Sequence, residues 1–168
     1  MKKLLAILLA LSCLLGLTAC GGEKLEEPPE LHIVAEDGTV TATGGSYSWN
    51  WNIFGGASCG VESDSIHPLE YEDLVETLVT DAPTVKLELA VAPDTVTAVE
   101  CWSDEHWGGD YDTPSESAEL TSVNDTLNIA LKPGGYIYVV SAKWDRDKYS
   151  GTSRYVFHVV TPELQTAE

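Results

Sequence analysis

Basic residues are scarce in this chain. Nine Lys and Arg stand against 27 Asp and Glu in 168 residues, a formal charge of -18. A nucleic-acid partner is excluded on that balance, because phosphate binding needs a basic face that displaces counterions. Catalytic signatures are missing as well. The sequence holds no G-x-x-x-x-G-K phosphate loop, no H-E-x-x-H, no S-x-x-K and no C-x-x-C. Only one long apolar run exists, Leu4 to Leu17. It falls short of the roughly 18–20 residues that a spanning helix needs.

That run has the layout of an export signal. Met1-Lys2-Lys3 is a short basic start, the apolar stretch follows, and Leu17-Thr18-Ala19-Cys20 precedes Gly21-Gly22. Basic start, apolar core, small residues and Cys in this order resemble the lipobox of bacterial lipoproteins. The resemblance implies that residues 1–19 are a signal peptide and that Cys20 is the lipid-modified N-terminal residue after cleavage. It also implies a location on the outer face of the bacterial cytoplasmic membrane, with the membrane itself as a partner through Cys20. An anchor of this type carries two acyl chains, enough for stable attachment. The mature chain then has 149 residues, seven basic and 27 acidic, a charge of -20. Such a charge disfavours binding of anionic wall polymers and serves solubility.

Four segments follow from this reading: signal 1–19, an acylated acidic tether 20–30, a domain 31–161, and a frayed tail 162–168. Residues 21–30 lack apolar periodicity and read as a solvated spacer. The domain reads as β. Val85, Leu87, Leu89 and Val91 alternate with Lys86, Glu88 and Ala90. Leu127, Ile129 and Leu131 do the same, as do Tyr136, Tyr138, Val140, Ala142 and Trp144, and Tyr155, Phe157 and Val159. Tyr47, Trp49, Trp51 and Ile53 form an earlier face. Turn chemistry at Asp37-Gly38, Gly44-Gly45, Gly55-Gly56, Pro93-Asp94, Pro133-Gly134-Gly135 and Ser150-Gly151 separates the runs. About seven short strands with frequent turns predict an antiparallel β-sandwich. The run Leu131 to Val140, with a Pro-Gly turn and a Tyr at the head of a long strand, resembles the late-strand corner of immunoglobulin-like domains. One segment departs from alternation. Tyr71, Leu74, Val75, Leu78 and Val79 fall at helical spacing, with Pro68 suited to a first turn, so a short helix or an irregular connector is expected within 68–79.

Ser46–Trp49, Ser65–Leu69 and Cys101–Trp107 also resemble segments of surface lipoproteins of Gram-positive bacteria. That resemblance implies location and fold, and it carries no chemistry.

Candidate sites come from four features. Cys59 and Cys101 remain after Cys13 is cleaved off and Cys20 is acylated, and outside the membrane such a pair can oxidise to a disulfide. The same cysteines with His67 and His106 offer four zinc ligands, at loose spacing. Gly56-Ala57-Ser58-Cys59-Gly60 matches G-x-S-x-G, the nucleophile elbow of hydrolases, although Val61 to Ser65 is not an amphipathic helix. The stretch from Trp102 to Ser117 is the richest. Trp102, Asp104, His106, Trp107, Asp110, Tyr111 and Asp112 lie between two strands, where binding residues concentrate. Aromatic faces beside carboxylates suit a sugar ring, and the three Asp offer hard oxygens to Ca²⁺ without the EF-hand spacing. In the blander reading Trp102 caps the core, Trp107 packs the loop down and the acids are solvated. His32 and His158 lie in strands and read as surface positions. The function expected is a non-catalytic module that binds a glycan, peptide or protein and needs no cofactor. A metal-binding or hydrolytic domain built on Cys59, His67, Cys101 and His106 or on Ser58 is the alternative.

Overall fold

The computed structural model describes residues 25–53 and 56–162. Residues 1–24, where the signal-peptide and Cys20 readings fall, 54–55 and 163–168 lie outside them. Among the described residues twelve strands form two sheets: β1 Leu31–Val34, β2 Thr39–Thr41, β3 Thr43–Asn52, β4 Ser58–Ser63, β5 Thr77–Val79, β6 Thr84–Leu89, β7 Thr95–Ser103, β8 Glu116–Ser117, β9 Leu120–Val123, β10 Thr126–Ala130, β11 Gly134–Asp145 and β12 Tyr149–Thr161. One sheet has the order β2-β1-β6-β10-β9. The other runs β4-β3-β12-β11-β7-β8, with β5 added against β12.

This is the immunoglobulin-like β-sandwich that the sequence predicts. Strands β1, β6, β10 and β9 take the places of A, B, E and D, and β7, β11 and β12 those of C, F and G. A β3–β4 hairpin is inserted after the first strands and widens the second sheet beyond β12. The ladders are antiparallel except one, since β5 pairs parallel with β12 at His158, Val159 and Val160. The expected corner is also present, carried by a neighbouring tyrosine. The backbone N–H of Lys132 donates to the Tyr138 phenol at 2.8 Å, whereas the sequence pattern pointed to Tyr136.

The alternation sorts the core as expected. Leu31, Ile33, Val85, Leu87 and Ile129 from one sheet meet Trp49, Tyr138, Val140, Trp144, Tyr155, Phe157 and Val159 from the other. Fully burying each large side chain contributes roughly 1.5–3 kcal/mol. Trp49 meets Trp144 edge-on at 5.3 Å and stacks on Tyr149 at 5.5 Å. Tyr138 stacks on Phe157 at 5.4 Å. Gly151 is required beside this cluster, because a Cβ there would fall 2.6 Å from Cε3 of Trp49.

The helix expected within 68–79 is not formed. A single 3₁₀ turn covers Pro68–Glu70, with Pro68 in its first turn as anticipated, and Thr77–Val79 is the strand β5. The apolar spacing has another cause. Leu69, Tyr71 and Val75 lie over the outer face of the second sheet, on Trp102, Ile137, Val139 and Val156. The segment then turns so that Thr77 and Val79, both β-branched, extend the ladder of β12 where β3 has left it. Strand β11 is consequently buried on both faces.

The tether also differs from expectation at its C-terminal end. Trp49 Nε1 donates to the carbonyl of Leu25 at 3.1 Å, and the Tyr155 phenol donates to that of Pro29 at 2.7 Å. Leu25 leans on the main core and Pro29 is buried. The reason is physical: two aromatic donors near the sandwich edge need acceptors, and the extended chain supplies them.

Candidate functional site

The second, smaller core is the foundation of the site. Strand β7 ends at Ser103 and passes directly into a 3₁₀ turn, Asp104–His106, where the Ser103 hydroxyl accepts from the N–H of Glu105 at 3.4 Å. Trp102, just before it, is 6% exposed and donates through Nε1 to the carbonyl of Thr113 at 3.0 Å. This bond closes the loop across its base. Gly108 then donates its N–H to the carbonyl of Leu69 at 2.9 Å, tying the loop to the crossing segment. The positive φ of Gly108, 63°, is a left-handed value that favours glycine.

Two aromatic clusters grow on this base. In the first, His67 meets Trp102 edge-on at 5.8 Å and lies tilted against Tyr111 at 5.1 Å. Its Nδ1 accepts from the N–H of Leu69 at 3.3 Å, which fixes the ring. The Tyr111 phenol donates to the Glu70 carboxylate, and that bond to an anion holds Tyr111 above the ordinary phenol range. Tyr111 is nevertheless 56% exposed, and Ile66, next to His67 in the chain, is 46% exposed.

The second cluster centres on His158, which sequence reasoning placed at the surface. The ring does face away from Phe157 and Val159, yet it is only 8% exposed because the loop covers it. Trp107 packs edge-on against it at 5.6 Å. Its Nδ1 lies 2.9 Å from the Thr77 hydroxyl and its Nε2 3.2 Å from Oδ2 of Asp104. Gly135 leaves the space for that carboxylate, since a Cβ there would overlap it. No alternation rule reveals this cover, because the loop that provides it is about fifty residues away in the chain.

The remaining candidates separate. Trp102 is buried, and Trp107 is half-buried with its ring against His158. His106, Asp110 and Asp112 are exposed, and the Asp110 carboxylate accepts from the N–H of Asp112 at 2.9 Å, forming a local turn. Cys59 and Cys101 are free thiols, so the expected disulfide does not form. They lie on β4 and β7, with β3, β12 and β11 between them in the sheet, a separation of about 19 Å at ordinary strand spacing. The zinc quartet fails for the same reason, and no cluster of three or more His, Cys, Asp or Glu fit for a metal occurs among the described residues. Ser58 opens β4 after a hairpin in which Ile53 donates to Ala57 at 2.8 Å. A hairpin strand replaces the strand–turn–helix that a nucleophile elbow requires.

What remains is an aromatic platform edged by carboxylates. Tyr111 is its exposed face, His67 and Trp102 back it, and Glu70, Asp110 and Asp112 surround it. No family model, no curated protein and no solved structure matches this chain.

Proposed function

We propose that this protein is a lipid-anchored, extracytoplasmic and non-catalytic binding module, whose ligand is a surface glycan seated on Tyr111. The observation that carries the reading is an exposed tyrosine held in place from two sides, by the His67 ring and by Glu70. A braced aromatic ring loses little conformational entropy on binding. Sugar rings stack on such faces, while the carboxylates of Glu70, Asp110 and Asp112 accept from hydroxyls. The lipobox at Cys20 and the signal before it support the location. The separation of Cys59 from Cys101 and the hairpin setting of Ser58 support a role without catalysis.

The test is a glycan array with the soluble domain, followed by titration calorimetry with Tyr111→Ala. Removing a central aromatic anchor is expected to weaken binding by about tenfold or more. Binding that Tyr111→Ala leaves unchanged contradicts the site. A peptide ligand in place of a glycan contradicts the ligand class and keeps the site.

A further inference from the structure

We infer that the docked tether sets the orientation of the domain on the membrane, with the β11–β12 hairpin end toward the bilayer and the Tyr111 platform at the far end. This rests on acylation of Cys20 as proposed above. Leu25 and Pro29 are held by Trp49 and Tyr155, and those two positions give the segment a direction. Trp49 is level with Gly151 and Trp144, and Tyr155 with Val140. Between the two levels β12 advances from residue 151 to 155. The chain from Leu25 to Pro29 therefore climbs along the sandwich, with Leu25 toward the hairpin end.

Reach makes the direction consequential. Five links separate Cys20 from Leu25, spanning at most about 18 Å when fully extended. The platform lies the other way. Trp102, which backs it, pairs with Ile137, seven residues along β11 from Trp144, or roughly 23 Å of strand. A tether shorter than that distance cannot bring the platform down while Leu25 stays docked.

Charge is distributed in the same sense. Lys143, Arg146 and Lys148 sit on the hairpin, half of the six Lys and Arg among the described residues. Asp145 and Asp147 accompany them, and Arg146 pairs with Asp94 at 3.0 Å, so the hairpin itself is close to neutral, with Glu88 and Asp125 the further acids at that end. Segments 64–76 and 104–112, which build the platform, hold nine Asp and Glu and no Lys or Arg. Anionic headgroups repel the platform end far more than the hairpin end.

Energy transfer from a donor dye to a headgroup acceptor tests this in the lipid-modified full chain. The protein is reconstituted in phosphatidylglycerol–phosphatidylethanolamine vesicles. The dye is placed at Asp147→Cys or at Asp112→Cys in a Cys59→Ser background, where Cys101 is buried. Transfer from position 147 is expected to exceed that from 112 by about threefold or more, given the length of β11. Inserting about twenty Gly and Ser residues after Gly22 is expected to shrink the difference, because a flexible spacer no longer limits reach and only the charge asymmetry remains. Equal or reversed transfer overturns the orientation and leaves the anchor standing, as does a difference that the insertion leaves undiminished. Membrane association unchanged by Cys20→Ser overturns the anchor itself, and the orientation with it.

Discussion

His158 and Asp104 are joined across the outer face of the second sheet, Nε2 to Oδ2 at 3.2 Å, beneath the indole of Trp107. The carboxylate oxygen accepts, so Nε2 is the donor to Asp104, while Nδ1 is paired with the Thr77 hydroxyl. The pair fastens the 104–112 loop to β12. His158→Leu removes both bonds and leaves Thr77 and Asp104 without them, at a cost of about 1–3 kcal/mol. Urea unfolding measures the loss. Amide exchange is expected to accelerate in residues 104–112 before it does in β6.

Gly135→Ala tests the same contact from the opposite side. Its Cβ would overlap the Asp104 carboxylate, so the substitution is expected to cost about 1–3 kcal/mol. Combined with Asp104→Ala it is expected to cost at least about 0.5 kcal/mol less than the two singles added together. Strict additivity would show that Gly135 serves another purpose.

Much of this architecture is legible in the sequence. Val85, Leu87, Ile129, Tyr138, Val140, Trp144 and Phe157 lie at alternating positions and enter the core as their period demands. Ile137 and Val139 could not be recognised as buried from that period, because it assigns them to solvent. They are covered by Leu69, Tyr71 and Trp102, which come from other parts of the chain. The same cover explains two misreadings: helical spacing over Leu69–Val79 came from draping on a sheet, and His158 became buried without any local signal. The aromatic loop was visible from composition alone. Its exposed member, Tyr111, emerged only once Trp102 and Trp107 were seen to face inward.

The thiols give a simple readout. Cys59 is half-exposed and Cys101 is buried, where desolvation pushes its thiol above the usual range. A thiol reagent at neutral pH is expected to modify Cys59 in the native domain, and Cys101 only after unfolding. Reductant is expected to leave the unfolding midpoint unchanged. A midpoint that falls in reductant would contradict two free thiols.

Alkaline pH probes the core tyrosines. Burial pushes Tyr138 and Tyr155 up to about 12 from 10.0. Both phenols favour the neutral form in the folded state, so their stabilisation is complete below pH 10. It declines as pH rises from about 10 to about 12 and is lost above, at roughly 2–3 kcal/mol for each buried phenol. Phenolate absorbance is expected to show these two titrating last, together with a fall in stability over that window. Tyr138→Phe is expected to shrink this fall while costing about 1 kcal/mol at neutral pH, through the lost partner of Lys132.

The location of the binding site is tested most directly by mapping amide and indole chemical shifts while soluble cell-wall glycan fragments are added. Perturbation concentrated at residues 66–71 and 106–112, including the Trp107 indole N–H, is the expected result. Perturbation centred instead on the groove between the tether and the first sheet, at His32, Lys86 and Leu127, would contradict the account, as would no perturbation by any fragment.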